Sequence, residues 1–194
     1  MIVGKLKSKI KLRLKQKMFN EHAVCGKNLV ISQGSYCTTP KKEQFVIGDN
    51  CELASSRFYV LGEGKITIGN NTTVRYDSKI SSVCGITIGN SVIISNNVRI
   101  YDHNSHPTDP VMREKMCASG FHGDLWSPTI ADKKPVVIED NVWIGEHSTI
   151  MKGVRIGKGS IVASNAVVTK DVPPYTIVAG NPAKIVKKIE GYEE

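Results

Sequence analysis

Aliphatic residues recur at every sixth position through the second half of the chain: Ile138, Ile144, Ile150, Ile156, Val162 and Val168. The same frame runs upstream through Ile68, Val74 and Ile80, and again through Ile88, Ile94 and Ile100. A helix repeats its apolar face about every 3.6 residues and a strand every second residue, so a strict period of six fits neither element alone. It fits a short strand with one inward aliphatic side chain and then a tight turn, three such sides closing one triangular coil. The turns agree: Ile-Gly-Asn-Asn, Ile-Gly-Asn-Ser, Ile-Glu-Asp-Asn and Ile-Gly-Lys-Gly supply Gly and Asn, which tolerate unusual backbone angles. Stacked coils pair their backbone groups with the coils above and below, around a continuous aliphatic core. The expected fold class is therefore all-β, a parallel β-helix solenoid. Over residues 22–65 the spacing weakens, and the first coils are expected to be distorted.

At 194 residues the chain suits one domain. The expected organisation is a basic segment over 1–20 and a β-helix domain over 21–190. The formal net charge of +8 is concentrated at the start, where Lys5, Lys7, Lys9, Lys11, Arg13, Lys15 and Lys17 occur without an acid. The body is nearly neutral, which argues against a nucleic-acid partner. Leu6, Ile10, Leu14 and Met18 lie four apart and would share one face of an amphipathic helix. That helix would pack on its own domain or make peripheral contact with the inner face of an anionic membrane. Five cysteines (Cys25, Cys37, Cys51, Cys84, Cys117) contain no Cys-x-x-Cys pair, so a reducing cytoplasm fits best. No apolar run approaches the roughly 18 residues of a membrane span and no secretory signal is evident, so a soluble, unprocessed protein is expected.

The frame that reaches Ile100 resumes only at Ile138, leaving an insertion loop of about 101–135. Insertions of that length are commonly functional. After Val168, Asn181 and Pro182 read as the N-cap and first turn of a short lysine-rich helix over 183–190. The insertion opens with Tyr101-Asp102-His103-Asn104-Ser105-His106-Pro107. From the residues alone, His103 and His106 are metal ligands, a catalytic pair, or the polar turn that ends a strand.

The stretch from Ile138 to Ile189, with Asn-Val-Trp-Ile-Gly at 141–145 and Val-Val-Thr-Lys-Asp-Val-Pro-Pro at 167–174, resembles the maltose and galactoside O-acetyltransferase group of hexapeptide-repeat acyltransferases. The resemblance covers roughly residues 66–190. It implies a left-handed coil, a homotrimer, and acetyl-CoA in a groove between adjacent β-helices. The His-Pro-Thr-Asp-Pro run at 106–110 is similar to the group's loop that carries the catalytic base, which implies His106 in that role. A hydroxyl is a poor nucleophile near pH 7 unless a base takes its proton in the transition state, and neutral imidazole is suited to that. The resemblance further implies an oxyanion donor among the backbone N–H groups near Gly145 and Glu146. It also implies CoA contacts at Ser164, Thr169, Lys170, Lys184 and Lys187, although any one of these lysines alone reads as a solvated charge.

The sequence departs from the group at Arg75 and Asp77, where the group has an asparagine pair beside the acceptor. The added His103 makes the loop more similar to those of capsule and O-antigen O-acetyltransferases, which points to a sugar, polysaccharide or glycolipid acceptor. Trp126, Phe121 and Tyr101 could stack on a sugar face or pack against the coil. The gamma-class carbonic anhydrases hold zinc on the same type of coil, but with histidines of the repeats themselves, so no metal is expected here. Two other functions stay open: N-acetylation of an amino sugar or a xenobiotic, and a non-catalytic trimeric module tethered through residues 1–20.

Overall fold

A computed structural model describes residues 14, 16–121 and 123–192. The chain winds as a three-faced parallel β-helix. Face one stacks Val24–Cys25, Phe45–Ile47, Ile66–Ile68, Ile86–Ile88, Val136–Ile138 and Arg155–Ile156. Face two stacks Val30–Ile31, Glu52–Leu53, Thr73–Val74, Ile93–Ile94, Trp143–Ile144, Ile161–Val162 and Thr176–Ala179. Face three stacks Tyr36–Thr38, Arg57–Val60, Lys79–Ser82, Arg99–Tyr101, Thr149–Ile150 and Val167–Val168. Each coil therefore turns three corners: from face one to two, from two to three, and from three to the next coil.

Equivalent residues stack in register, so the six-residue frame becomes columns of buried aliphatics. One column runs Phe58, Ile80, Ile100, Ile150, Val168, and every member is at most 1% exposed. The first two corners require left-handed backbone angles. Asn50, Asn71, Asn97, Asn141 and Asn165 adopt them, with φ between 56° and 61°, as short polar side chains can at little cost. The amides then extend the stack: Asn28 Nδ2 donates to Asn50 Oδ1 at 2.9 Å, and Asn50 Nδ2 to Asn71 Oδ1 at 3.2 Å.

The early coils keep this register despite their weaker sequence signal. Val24 pairs with Val46 and Val46 with Thr67, a spacing of 22 and then 21 residues, whereas Val137 pairs with Arg155 after 18. The extra residues lie in longer third corners, one holding the 3₁₀ turn Lys42–Gln44. Phe45 and Phe58 replace aliphatics inside, their rings 5.0 Å apart.

Both ends of the stack are closed. A helix over 16–22 lies across the first coil, where Phe19 is fully buried and meets Phe58 edge-on at 6.4 Å. Of the expected apolar stripe, Met18 packs against the core and Leu14 is exposed, while Leu6 and Ile10 lie outside the described residues. So do all the basic residues of 1–20 except Lys17. Among the described residues no helix is long and apolar enough to cross a membrane.

At the other end the expected helix over 183–190 does not form. Lys184–Lys188 is a strand that folds back antiparallel on Thr176–Ala179. The last face-two strand otherwise exposes a row of unpaired backbone groups, and the β-branched Ile185 and Val186 favour the extended partner that satisfies them. Asn181 and Pro182 thus lie in the connection between two strands, not at a helix start.

Candidate active site

The insertion leaves at a third corner, after Tyr101, and returns at Val136. Its two ends are zipped together. His103 bridges antiparallel to Lys133, Asn104 N–H donates to the Asp132 carbonyl at 2.8 Å, and Lys134 N–H donates to the Asp102 carbonyl at 2.8 Å. Between them the chain forms an α-helix, Pro110–Ala118, capped by the Asp109 carboxylate accepting from Val111 N–H at 2.8 Å. Two 3₁₀ turns follow, Asp124–Trp126 and Pro128–Ile130.

Asp102 anchors the exit. Its carboxylate is fully buried and accepts from the N–H groups of Val83, Cys84 and Gly85 at 2.9, 2.9 and 2.6 Å, and from the Ser82 hydroxyl at 2.6 Å. A buried carboxylate is tolerated only with such a full set of donors. Burial, then the adjacent Asp102 charge, pushes the Cys84 thiol up to about 11.

The next residue, His103, is only 6% exposed. Its Nδ1 lies 2.9 Å from the Asn104 carbonyl oxygen and its Nε2 3.0 Å from Ser81 Oγ. A carbonyl can only accept, so Nδ1 carries the proton, and in the neutral ring Nε2 is the acceptor. The ring also stacks on Tyr101 at 5.7 Å with 13° between planes. His106 is different: it is exposed, and its ring meets Trp126 edge-on at 5.6 Å. Phe121 lies 4.9 Å from the same indole, whose Nε1–H is buried without a protein acceptor.

These side chains divide two clefts. One, of about 460 Å³, faces the N-terminal coils and is lined by Tyr59, Lys79, Ser81, Trp126 and Pro128 together with the histidines. The other, of about 430 Å³, faces the C-terminal coils and adds Pro107, Arg113, Met151 and Lys152. Tyr101, His103, Ser105 and His106 border both. A larger depression of about 680 Å³ lies at the C-terminal end, between Pro173–Tyr175 and Lys188–Tyr192, and includes neither histidine.

The expected site residues fall on different edges of the prism. His103, His106 and Trp126 are on the third-corner edge with Thr169 and Lys170, whereas Arg75, Asp77, Gly145, Glu146 and Ser164 are on the second-corner edge. Lys184 and Lys187 sit on the terminal strand of face two. One side of a coil is about five residues of extended chain, so the two edges are separated by roughly 15–20 Å. Neither cleft is lined by Arg75 or Asp77. Gly145 has a structural reason to be glycine: a Cβ there would lie 2.6 Å from Ser164 N. Its N–H already donates to the Val162 carbonyl at 2.8 Å, so that group is committed to the coil stack rather than free for an oxyanion. Glu146 Oε1 accepts from Asn96 Nδ2 at 3.1 Å. Among the described residues no three His, Cys, Asp or Glu side chains converge as metal ligands. Lys79, absent from the sequence reading, lines the first cleft; only its register beside Arg57 and Arg99 marks it out.

Residues 135–170 match the family model described as bacterial transferase hexapeptide, six repeats. The galactoside O-acetyltransferase of Escherichia coli strain K12 is 32% identical over 149 residues, covering 76% of this chain and 66% of the relative. A protein of the same strain assigned to lipopolysaccharide biosynthesis as an O-acetyl transferase is 35% identical over 139 residues, 68% of this chain and 65% of its own. The chain thus spans just under two thirds of the length of these curated relatives. Among solved structures, a hexapeptide-repeat-containing acetyltransferase from Vibrio cholerae O1 biovar eltor, complexed with acetyl coenzyme A, superposes with a TM-score of 0.62 at 28% identity, over 92% of this chain and 75% of that one.

Proposed function

The chain belongs to the hexapeptide-repeat proteins of left-handed β-helix fold, and from that premise we propose that it transfers an acetyl group from acetyl-CoA to a hydroxyl of a sugar, polysaccharide or glycolipid precursor. The observation that carries this reading is His103: a buried imidazole whose Nδ1–H is fixed by the Asn104 carbonyl, leaving Nε2 as an acceptor at the junction of two clefts. That is the arrangement a general base requires. That orienting bond supports reading His103 as the base in place of His106, the residue the sequence motif suggests. His106 and Trp126 then line the acceptor side.

In this mechanism the acceptor hydroxyl displaces the Ser81 hydroxyl from Nε2 and gives up its proton as its oxygen attacks the thioester carbonyl. An ester C–O bond forms, the C–S bond breaks, and the proton passes from the imidazolium to the leaving CoA sulfur. General-base assistance contributes about 10² to 10⁴ in rate. The acetyl donor enters by the cleft of Met151 and Lys152, since Lys152 and Lys170 occupy successive third corners beside it and supply charge for phosphates. The acceptor occupies the cleft of Tyr59 and Trp126, whose rings suit a sugar face.

Two edges of one prism cannot meet, but the third-corner edge of one copy can face the second-corner edge of another. Side-by-side assembly about a threefold axis does this three times over and closes. A homotrimer with its sites between subunits therefore accounts for candidate residues lying on opposite edges. The test is release of free CoA thiol from acetyl-CoA against a panel of hydroxyl and amine sugars. Turnover with hydroxyl acceptors that falls at least a hundredfold in His103→Ala is the expected result. Transfer restricted to amines would favour N-acetylation, and near-normal turnover of the variant would reject His103 as base.

A further inference from the structure

Three cations stand directly above one another on face three: Arg57 pairs with Lys79, and Lys79 with Arg99, in consecutive rungs. Neighbouring strands are about 4.8 Å apart, and like charges directly opposite across strands are destabilising. Among the described residues no carboxylate lies within ion-pairing distance of any of the three, the one salt bridge there being Arg155 with Glu139. The middle cation is also drawn in: Lys79 is half-buried, its Nζ 5.0 Å from the centre of the Tyr59 ring and 5.7 Å from that of Tyr101.

The column is continuous with the acceptor cleft. Tyr59, Ser81 and Tyr101 form the adjacent column, two residues further along the same strands, and Ser81 is the hydroxyl that meets His103. Lys79 itself lines the cleft. The cations thus begin about 7 Å along the strand from the column bordering the base, on the side away from the third corner, with Arg99 beside Thr149 of the next coil. Three charges on three successive strands, with no carboxylate partner among the described residues, call for a ligand with more than one negative charge, and a single carboxylate would leave most of them unmatched. Arginine forks match phosphate oxygens in pairs.

Building on the acetyltransferase reading, the geometry points to an acceptor sugar that carries a diphosphate, held by Arg57, Lys79 and Arg99 while its hydroxyl faces His103. The same chemistry is offered by a nucleoside diphosphate sugar and by a lipid-diphosphate-linked sugar.

The experiment is calorimetric titration of inorganic pyrophosphate into protein first saturated with CoA, so that the donor's own phosphate site is filled. Binding to the wild type, weakened at least about tenfold in R57Q/R99Q, supports the proposal. No binding, or equal affinity in the variant, overturns it. So does a variant that falls apart into smaller species in sedimentation, which would make the column a contact between subunits. A kinetic arm compares UDP-galactose, a short-chain prenyl-diphosphate galactose and methyl galactoside as acceptors. A lower KM for either diphosphate than for the neutral sugar supports the proposal and identifies the source, and equal KM values for all three count against it. If no sugar accepts acetyl while pyrophosphate still binds in an Arg57- and Arg99-dependent way, the anion site stands and the catalytic reading falls.

Discussion

His103 is held at both ring nitrogens, with Nδ1 2.9 Å from the Asn104 carbonyl and Nε2 3.0 Å from the Ser81 hydroxyl. The first bond fixes the tautomer and the second only occupies the place an acceptor would take. His103→Ala should therefore lower kcat by about 10² to 10⁴ with acetyl-CoA affinity unchanged in calorimetry. Ser81→Ala should cost less than tenfold. His106→Ala should raise the acceptor KM more than it lowers kcat, and a kcat loss equal to that of His103→Ala would return the base to His106.

Asp102→Asn leaves one acceptor oxygen, which can still serve Cys84, Gly85 and Ser82, and turns an amide NH2 against the Val83 N–H. Leaving a buried donor unsatisfied costs about 1–3 kcal/mol, so urea denaturation should show a loss of about that size. A loss below about 1 kcal/mol would mean that the loop exit does not depend on this carboxylate.

Cys84 titrates far above an ordinary thiol, at about 11 against 9.0, because of burial and the neighbouring Asp102 charge. Below pH 9 it is protonated whether the chain is folded or not, and its contribution to stability is fully present. As pH rises from 9 towards 11 the unfolded chain ionises first, so that contribution is lost in this window; Cys84→Ala should flatten the decline measured by thermal unfolding. At pH 8 iodoacetamide should label the exposed Cys117 well before Cys84, as mass spectrometry of tryptic peptides would read.

If each site joins the third-corner edge of one subunit to the second-corner edge of the next, His103→Ala and Arg75→Ala should each inactivate a homo-oligomer, yet complement one another when co-expressed. Random mixing in equal amounts leaves about a quarter of the sites with both edges intact. Complete inactivity of purified mixed oligomers would place the whole site within one chain.

The run from Ile138 to Val168 was fully readable because each coil there spends six residues per side and one aliphatic per strand. The earlier coils were harder to read for two visible reasons: Phe45 and Phe58 fill inward positions, and long third corners break the frame between coils that remain in register. Asp109-Pro110 is an N-cap followed by a first-turn proline, and it does begin a helix. Asn181-Pro182 presents the same kind of signal and does not, because an open strand edge was waiting beside it. Nor could spacing rank the two histidines. The orientation of His103 depends on the chain returning at Asp132 to clamp Asn104, 28 residues away in sequence and adjacent only after folding.

The two ends of the prism bear on solubility as well as on shape. Every coil of a parallel stack is a template for another, and a bare terminal coil would accept one from a second molecule as readily as from its own chain. Phe19 closes one end by filling the space where a further column of side chains would start. Lys184–Lys188 closes the other by reversing direction and lining the outer rim with lysines. A chain built from a repeat that could continue indefinitely is thereby kept from end-to-end fibre growth, and truncating either closure should produce filaments before it produces unfolded protein.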